Sequence, residues 1–178
     1  MPRAAPPAPL ESPPGIALRD TTEHDHAAVL QLNLESEAVL SPLDPPRLRA
    51  LIGQCWYHRV ACVDGVVQAF LLALRPGADY DSPNYQWFSQ RYPDFVYVDR
   101  VVVSSRARHA RLGTLLYQDL IGRARASGIA CVTCEIDIEP PNPASHRFHQ
   151  KFGFGEVGTQ SVAGGRKRVS LQELRLRA

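Results

Sequence analysis

Polar and apolar residues alternate along 130–138, where Ala130, Val132, Cys134, Ile136 and Ile138 share one face of an extended chain and Thr133, Glu135 and Asp137 share the other. That period predicts a strand. Upstream the period changes: Leu112, Leu115, Leu116, Leu120, Ile121 and Ala124 recur at helical steps, predicting a helix over 112–126 that Gly128 closes. The β-prone run Val96 to Val103 precedes it. Earlier, Trp56 to Val63 and Val66 to Leu74 read as two strands joined at Asp64-Gly65, a hairpin signal. Gly15 to Arg19 predicts a first strand. Thr22, followed by Glu23 and Asp25, predicts a capped helix that runs irregularly through Val29, Leu30, Leu32 and Leu34 to Val39. Asp44-Pro-Pro opens a second helix to about Gln54, with Leu48, Leu51 and Ile52 on its inner side. The last elements form a hairpin, Val157 to Val162 and Arg166 to Leu174, turning at Gly164-Gly165.

This order of strands and helices predicts one mixed α/β domain over 15–178. Residues 1–14 hold six prolines and little apolar content beyond Leu10, which predicts a disordered leader. After Arg75-Pro-Gly, a segment rich in Tyr80, Tyr85, Trp87, Phe88 and Tyr92 reads as a loop. So aromatic a loop either packs on the core as a lid or forms a wall for an acceptor substrate.

Composition removes several function classes. The formal net charge of +2 is too small for an extended nucleic-acid surface, so no nucleic-acid partner is expected. The longest apolar stretch, Val66 to Leu74, is too short to span a bilayer, and the N-terminus lacks a signal-peptide pattern; a cytoplasmic protein without a membrane partner is expected. Cys131 and Cys134 match C-x-x-C, but inside a strand their side chains point to opposite faces, and no second pair completes a tetrahedral site. His24 and His26, two apart, do not share a helical face. No metal is expected.

Chemistry collects between Tyr97 and Gly155. Arg106, Arg108 and Arg111 crowd the start of the helix at Leu112, where the macrodipole disfavours cations. Their placement there makes sense when a phosphate-bearing ligand is shared with the backbone N–H groups of the helix start. Downstream, Asn142 is a natural N-cap, Pro143 fits the first helical position and Gly153 fits the C-terminal cap. On the short helix between them, Phe148 and Phe152 point to the core, while Asn142, Ser145 and His149 share another face.

These two segments resemble motifs of the GNAT acetyltransferase superfamily. Arg108-His-Ala-Arg111-Leu-Gly113 matches the first and last positions of Arg/Gln-x-x-Gly-x-Gly/Ala, with Arg111 in place of the middle glycine. Asn142, Ser145, Phe148, His149, Gly153 and Phe154 match Asn-x-x-Ala-x-x-Leu-Tyr-x-x-x-Gly-Phe, with His149 in place of the tyrosine. The resemblance implies a single-domain GNAT fold: a mixed, mostly antiparallel sheet of six to seven strands, flanked by four helices, with the strands 96–103 and 130–138 splayed apart. It implies acetyl-CoA as cofactor, held by Val101, Val102 and Val103, by Arg108, His109, Ala110, Arg111, Leu112, Gly113 and Thr114, and by Asn142, Ser145 and His149. Homodimers are common in the family, which leaves that state open here.

The implied reaction is acetyl transfer to the amine of a small molecule or amino acid. An ammonium with a pKa of about 10.4 must lose a proton before it attacks. Glu135, on the polar face of its strand, is the first candidate for the base, ahead of Asp99 and Asp137. A backbone N–H of 101–103 would hold the oxyanion. His149 would protonate the leaving thiolate if its neighbours raise its pKa, and otherwise packs. Tyr80, Tyr85, Trp87, Phe88 and Asp137 are the expected acceptor-site residues. The alternatives are a non-catalytic acyl-CoA sensor, suggested by the two departures, and an acetyltransferase of protein N-termini or lysines, which needs an open groove.

Overall fold

The computed structural model describes residues 13–36 and 40–176. Their seven strands are β1 (Ile16–Asp20), β2 (Tyr57–Val63), β3 (Val66–Leu74), β4 (Val96–Val103), β5 (Cys131–Glu139), β6 (Gly155–Val162) and β7 (Lys167–Arg175), forming one sheet in the order β1-β2-β3-β4-β5-β7-β6. Neighbours are antiparallel except β4 and β5, which run parallel. A parallel pair needs a crossover, and the helix Leu112–Ala126 supplies it.

Among the described residues, five α-helices cover the sheet: α1 (His26–Leu34), α2 (Pro45–Gln54), α3 (Pro83–Ser89), α4 (Leu112–Ala126) and α5 (Pro143–Phe152). Their starts follow local chemistry. Thr22 and Asp25 form a reciprocal capping box before α1, the Asp44 side chain accepts from Arg47 N at 2.8 Å, and Asn142 accepts from Ser145 N at 3.1 Å. The apolar stripe of α4, including Leu112, Leu116 and Leu120, packs on one sheet face with Val96, Val98, Val132 and Cys134. On the opposite face, Val29 and Leu32 of α1, Leu48 and Leu51 of α2, and Tyr85 and Phe88 of α3 pack with Phe70, Leu72 and Tyr97. Among the described residues, no helix is long and apolar enough to cross a membrane.

Two expectations need amendment. The aromatic segment is not a loop: Ser82 caps Tyr85 N, Pro83 occupies the first turn, and α3 brings the flanking helices to five rather than four. The first helix stops at Leu34, short of Val39, which lies outside the described residues. The leader expected over 1–14 also falls outside them, except for Pro13 and Pro14.

Glycines test these placements. Gly153 ends α5 at φ +92°, a conformation costly for a side chain, whereas Gly122 sits inside α4 with open space where a Cβ would stand. Gly153→Ala is expected to lower unfolding free energy by about 1 kcal/mol, and Gly122→Ala to raise it by about 0.5 kcal/mol. Urea titration of both variants checks this, and a stabilised Gly153→Ala protein would contradict the left-handed cap.

Candidate active site

β4 and β5 keep register only at Val96 with Val132 and Tyr97 with Thr133, although they run eight and nine residues. Beyond Tyr97, the edge of β4 that faces β5 has no strand partner, so its backbone donors and acceptors turn toward an open gap. On its other edge, β4 slips register against β3 between Leu72 and Ala73, which leaves Asp99 as the extra residue of a bulge. Side-chain parity shifts across it: Tyr97 faces the α1–α3 side, and so do Arg100 and Val102. Val101 and Val103 pack on the α4 side.

The bulge is held by charge. Arg100, 3% exposed, donates from Nε to Asp99 at 2.6 Å and from Nη1 to Asn33 Oδ1 of α1 at 2.7 Å. Tyr80 donates its phenol to the other Asp99 oxygen. Removing one partner of such a buried pair typically costs about 3–5 kcal/mol, because the remaining charge is left uncompensated.

Two cavities meet here, one of about 180 Å³ in the gap and one of about 460 Å³ toward α3 and the β6–β7 turn. Asp99, Arg100, Glu135 and Asp137 line both. Glu135 accepts from the Tyr97 hydroxyl at 2.7 Å, and among the described residues it forms no ion pair. Burial pushes its carboxyl up to about 7; the Tyr97 hydrogen bond pulls the other way, and the Asp99 charge adds to the rise. Asp137, by contrast, pairs with Lys167 at 3.1 Å, and Asp81 with Arg47 at 2.8 Å.

A third cavity, of about 630 Å³, opens at the start of α4 and is lined by Arg108, Arg111, Leu112, Gly113, Thr114 and Lys151, among others. Arg108, His109 and Ala110 lie in a short 3-10 turn, and Arg111 caps α4 at φ +55°, in the left-handed region. His109 and Ala110 do not line the cavity. A Cβ on Gly113 would lie 3.4 Å from Val103 Cγ2 and 3.6 Å from the Phe148 ring, so glycine lets α4, β4 and α5 approach closely. The N–H groups of the first helical turn have no partner within the helix, and with three cations beside them they suit a polyphosphate.

α5 brings Asn142, Ser145 and His149 to the wall of the 180 Å³ cavity, where Val101, Val102 and Val103 also stand. His149 is 4% exposed; its Nε2 lies 2.7 Å from the Tyr117 hydroxyl and its Nδ1 2.8 Å from the Ser145 carbonyl. A carbonyl only accepts, so Nδ1 carries the proton and Nε2 accepts from Tyr117. Burial pushes the imidazole pKa down, despite the opposing Ser145 carbonyl. The rise that a proton-donor role required is therefore not present, and His149 rests as a neutral acceptor.

Of the expected acceptor wall, Tyr80 and Asp137 line the 460 Å³ cavity. Tyr85 and Phe88 are buried in the core, where the Tyr85 hydroxyl bridges Ala78 N and the Arg75 carbonyl; Trp87 packs on Gly158 and under Arg91. Sequence reasoning missed Arg100, Tyr97, Asn84, Tyr117 and Lys167. Ser82-Pro83, a helix-start signal, announces the element that carries Asn84.

Comparison with known proteins adds independent findings. Residues 26–154 match the model of the Acetyltransferase (GNAT) family. The chain is 31% identical over 139 residues to the L-2,4-diaminobutyric acid acetyltransferase of Bordetella parapertussis, covering 73% of this chain and 62% of that protein. It is 32% identical over 105 residues to the phosphinothricin N-acetyltransferase of Streptomyces viridochromogenes, covering 59% and 50%. The chain thus spans between half and two thirds of the length of these curated relatives. The structure of yncA from Salmonella typhimurium with its cofactor acetyl-CoA superposes with a TM-score of 0.66 at 21% identity, covering 92% of this chain and 95% of that one.

The left-handed Arg111 makes a separate prediction. Arg111→Gly is expected to raise unfolding free energy by about 1 kcal/mol, by releasing the αL strain. Urea titration checks it; an unchanged or lowered value would show that Arg111 side-chain contacts offset the strain.

Proposed function

Since the chain belongs to the GNAT family of acetyltransferases, we propose that it is an acetyl-CoA-dependent N-acetyltransferase whose acceptor is a small primary amine. The observation that carries this reading is Glu135: a carboxyl held near neutrality by burial, at the junction of the two cavities, with every neighbouring carboxylate already paired to a cation. Asp99 has Arg100, Asp137 has Lys167 and Asp81 has Arg47, so an entering ammonium finds its counter-charge at Glu135.

The residues fit the acyl donor. Arg108, Arg111, Lys151 and the first N–H groups of α4 would hold its phosphates, and the unpaired edge of β4 would receive its amide-bearing arm. Acetyl-CoA supplies the acetyl group as an activated thioester. Glu135 takes a proton from the ammonium, and the Tyr97 hydroxyl fixes the carboxylate that receives it. An N–H of β4 between Val101 and Val103 on the edge that faces the gap would stabilise the oxyanion. A cavity of about 460 Å³ suits a small molecule. Its outer side carries the Arg47–Asp81 pair and the β6–β7 turn at Val162 and Ala163, which favours a small amine over a polypeptide chain. The two curated relatives, acting on diaminobutyric acid and phosphinothricin, agree with that class.

Thiol release from acetyl-CoA over a panel of small amines tests this reading. Turnover with at least one amine is expected, and donor binding without turnover on any of them would favour the sensor alternative. Where Glu135 is the base, kcat/KM rises with pH through about 7 as the carboxyl ionises, then levels. Glu135→Gln is expected to lower kcat/KM about 100-fold and to erase that limb. Tyr97→Phe removes the hydrogen bond that favours the ionised form, so the limb should move to higher pH. A limb unmoved in both variants would exclude Glu135.

A further inference from the structure

Tyr117 is the buried polar group that the reaction above leaves unused. It stands in the middle of the apolar stripe of α4, fully buried, with Phe148, Phe152 and Phe154 around its ring. Yet its residue lines the gap between β4 and β5. Its hydroxyl lies 2.7 Å from His149 Nε2. A hydroxyl buried so deeply in an aromatic setting is retained against the packing advantage of phenylalanine only when it has a partner. Here the partner is a second titratable group on another helix.

We propose that Tyr117, rather than His149, is the donor to the leaving sulfur, with His149 and Ser145 as positioning residues that reload it. The inference rests on the acetyltransferase reading of the same site. Two arrangements of the chain are each satisfied by atoms already in place. In the first, His149 Nδ1–H donates to the Ser145 carbonyl at 2.8 Å and Nε2 accepts from Tyr117, so the phenol proton points at the imidazole. In the second, the Ser145 hydroxyl, 3.3 Å away, donates to Nδ1, and Nε2–H donates to the Tyr117 oxygen. The phenol proton is then released toward the gap. Switching needs a change of imidazole tautomer, hydroxyl rotation and a small tilt of the ring that moves Nδ1 from the Ser145 carbonyl toward the Ser145 hydroxyl.

The step balances. Glu135 first takes one proton from the ammonium and passes it to solvent; the amine nitrogen then bonds to the acetyl carbon, its second proton goes to Glu135, and the C–S bond breaks with its pair on sulfur. Sulfur takes the Tyr117 proton, His149 Nε2–H replaces it, Ser145 Oγ–H replaces that at Nδ1, and water at the half-buried Ser145 restores the serine, the hydroxide so formed being neutralised by the proton that Glu135 passes to solvent. Replacement in the same event matters. Burial, with Cys134 and Glu135 nearby, holds the Tyr117 phenol well above its ordinary pKa, so a free phenolate is avoided. The groups facing the pair are Cys134 and Glu135 from β5 and His146 from α5. None is a fixed positive charge that could stabilise a phenolate.

The test combines spectroscopy and kinetics on the full chain. Nitrogen-15 NMR of His149 reads the tautomer without turnover: Nδ1–H in the protein alone, with a shift to Nε2–H when acetyl-CoA is added without an amine. Tyr117→Phe, which keeps the ring, is expected to lower kcat about 100-fold while KM for acetyl-CoA changes less than about twofold. Ser145→Ala should hold His149 as Nδ1–H with acetyl-CoA bound and lower kcat by about tenfold or more. A tautomer that stays Nδ1–H in the wild type on acetyl-CoA addition, or full kcat in Tyr117→Phe, would overturn the proposal. If Tyr117→Phe unfolds, the tautomer measurement on the wild type and Ser145→Ala decides alone. Absence of turnover by the wild type would instead defeat the acetyltransferase reading, and the tautomer result would still report on the hydrogen-bond chain.

Discussion

The parting of β4 from β5 after two residue pairs is the constraint on which the site depends. A sheet that opens in its interior exposes backbone groups that would otherwise be satisfied by the neighbouring strand, and exposing them costs free energy unless a ligand or water takes their place. The opening is stabilised from outside. The bulge at Asp99 bends β4, and Arg100, Tyr80 and Asn33 hold it through buried, charge-assisted hydrogen bonds. α1, the segment before α3 and the centre of the sheet are thereby tied together at the position where the strands separate.

Electrostatics in the opening follow from the same geometry. Buried carboxylates are tolerable when each has a cation, and three of the four acids that line the 460 Å³ cavity have one. The fourth, Glu135, has only neutral hydrogen-bond donors, so desolvation dominates and pushes its carboxyl up to about 7. That position suits a base that must be ionised to accept a proton and then give it up. The α4 side of the same gap offers the complementary group, a neutral phenol against a neutral imidazole. Base and donor are thus separated by the sheet, one on each face of the opening.

Much of this is legible locally. Thr22, Asp44 and Asn142 announce helix starts through their capping chemistry, and the alternation along 130–138 places Glu135 and Asp137 on one face opposite Cys134. What stays hidden depends on distant partners. By its own residues Asp99 to Val103 reads as an unbroken strand, and only the family resemblance announces the splaying, because a bulge is defined against β3. Tyr117 sits between Leu116 and Leu120 in a stripe that reads as core, and only the position of α5 gives its hydroxyl a partner. Tyr85 and Phe88 lie three apart on the core side of α3, but a helix of seven residues makes about two turns, too few for a period to show, so the segment reads as a loop. The chemical type of His149 suggests a proton donor, whereas its neutrality comes from burial that the sequence does not display.

The central claim is that the opened sheet leaves Glu135 buried and without a cation. Carbon-13 NMR titration of the Glu135 side-chain carboxyl, assigned by comparison with Glu135→Gln, measures that claim without any substrate. A midpoint near 7 is the result this account predicts. A midpoint in the ordinary range of about 4.3 would show a solvated or cation-paired carboxylate and contradict it.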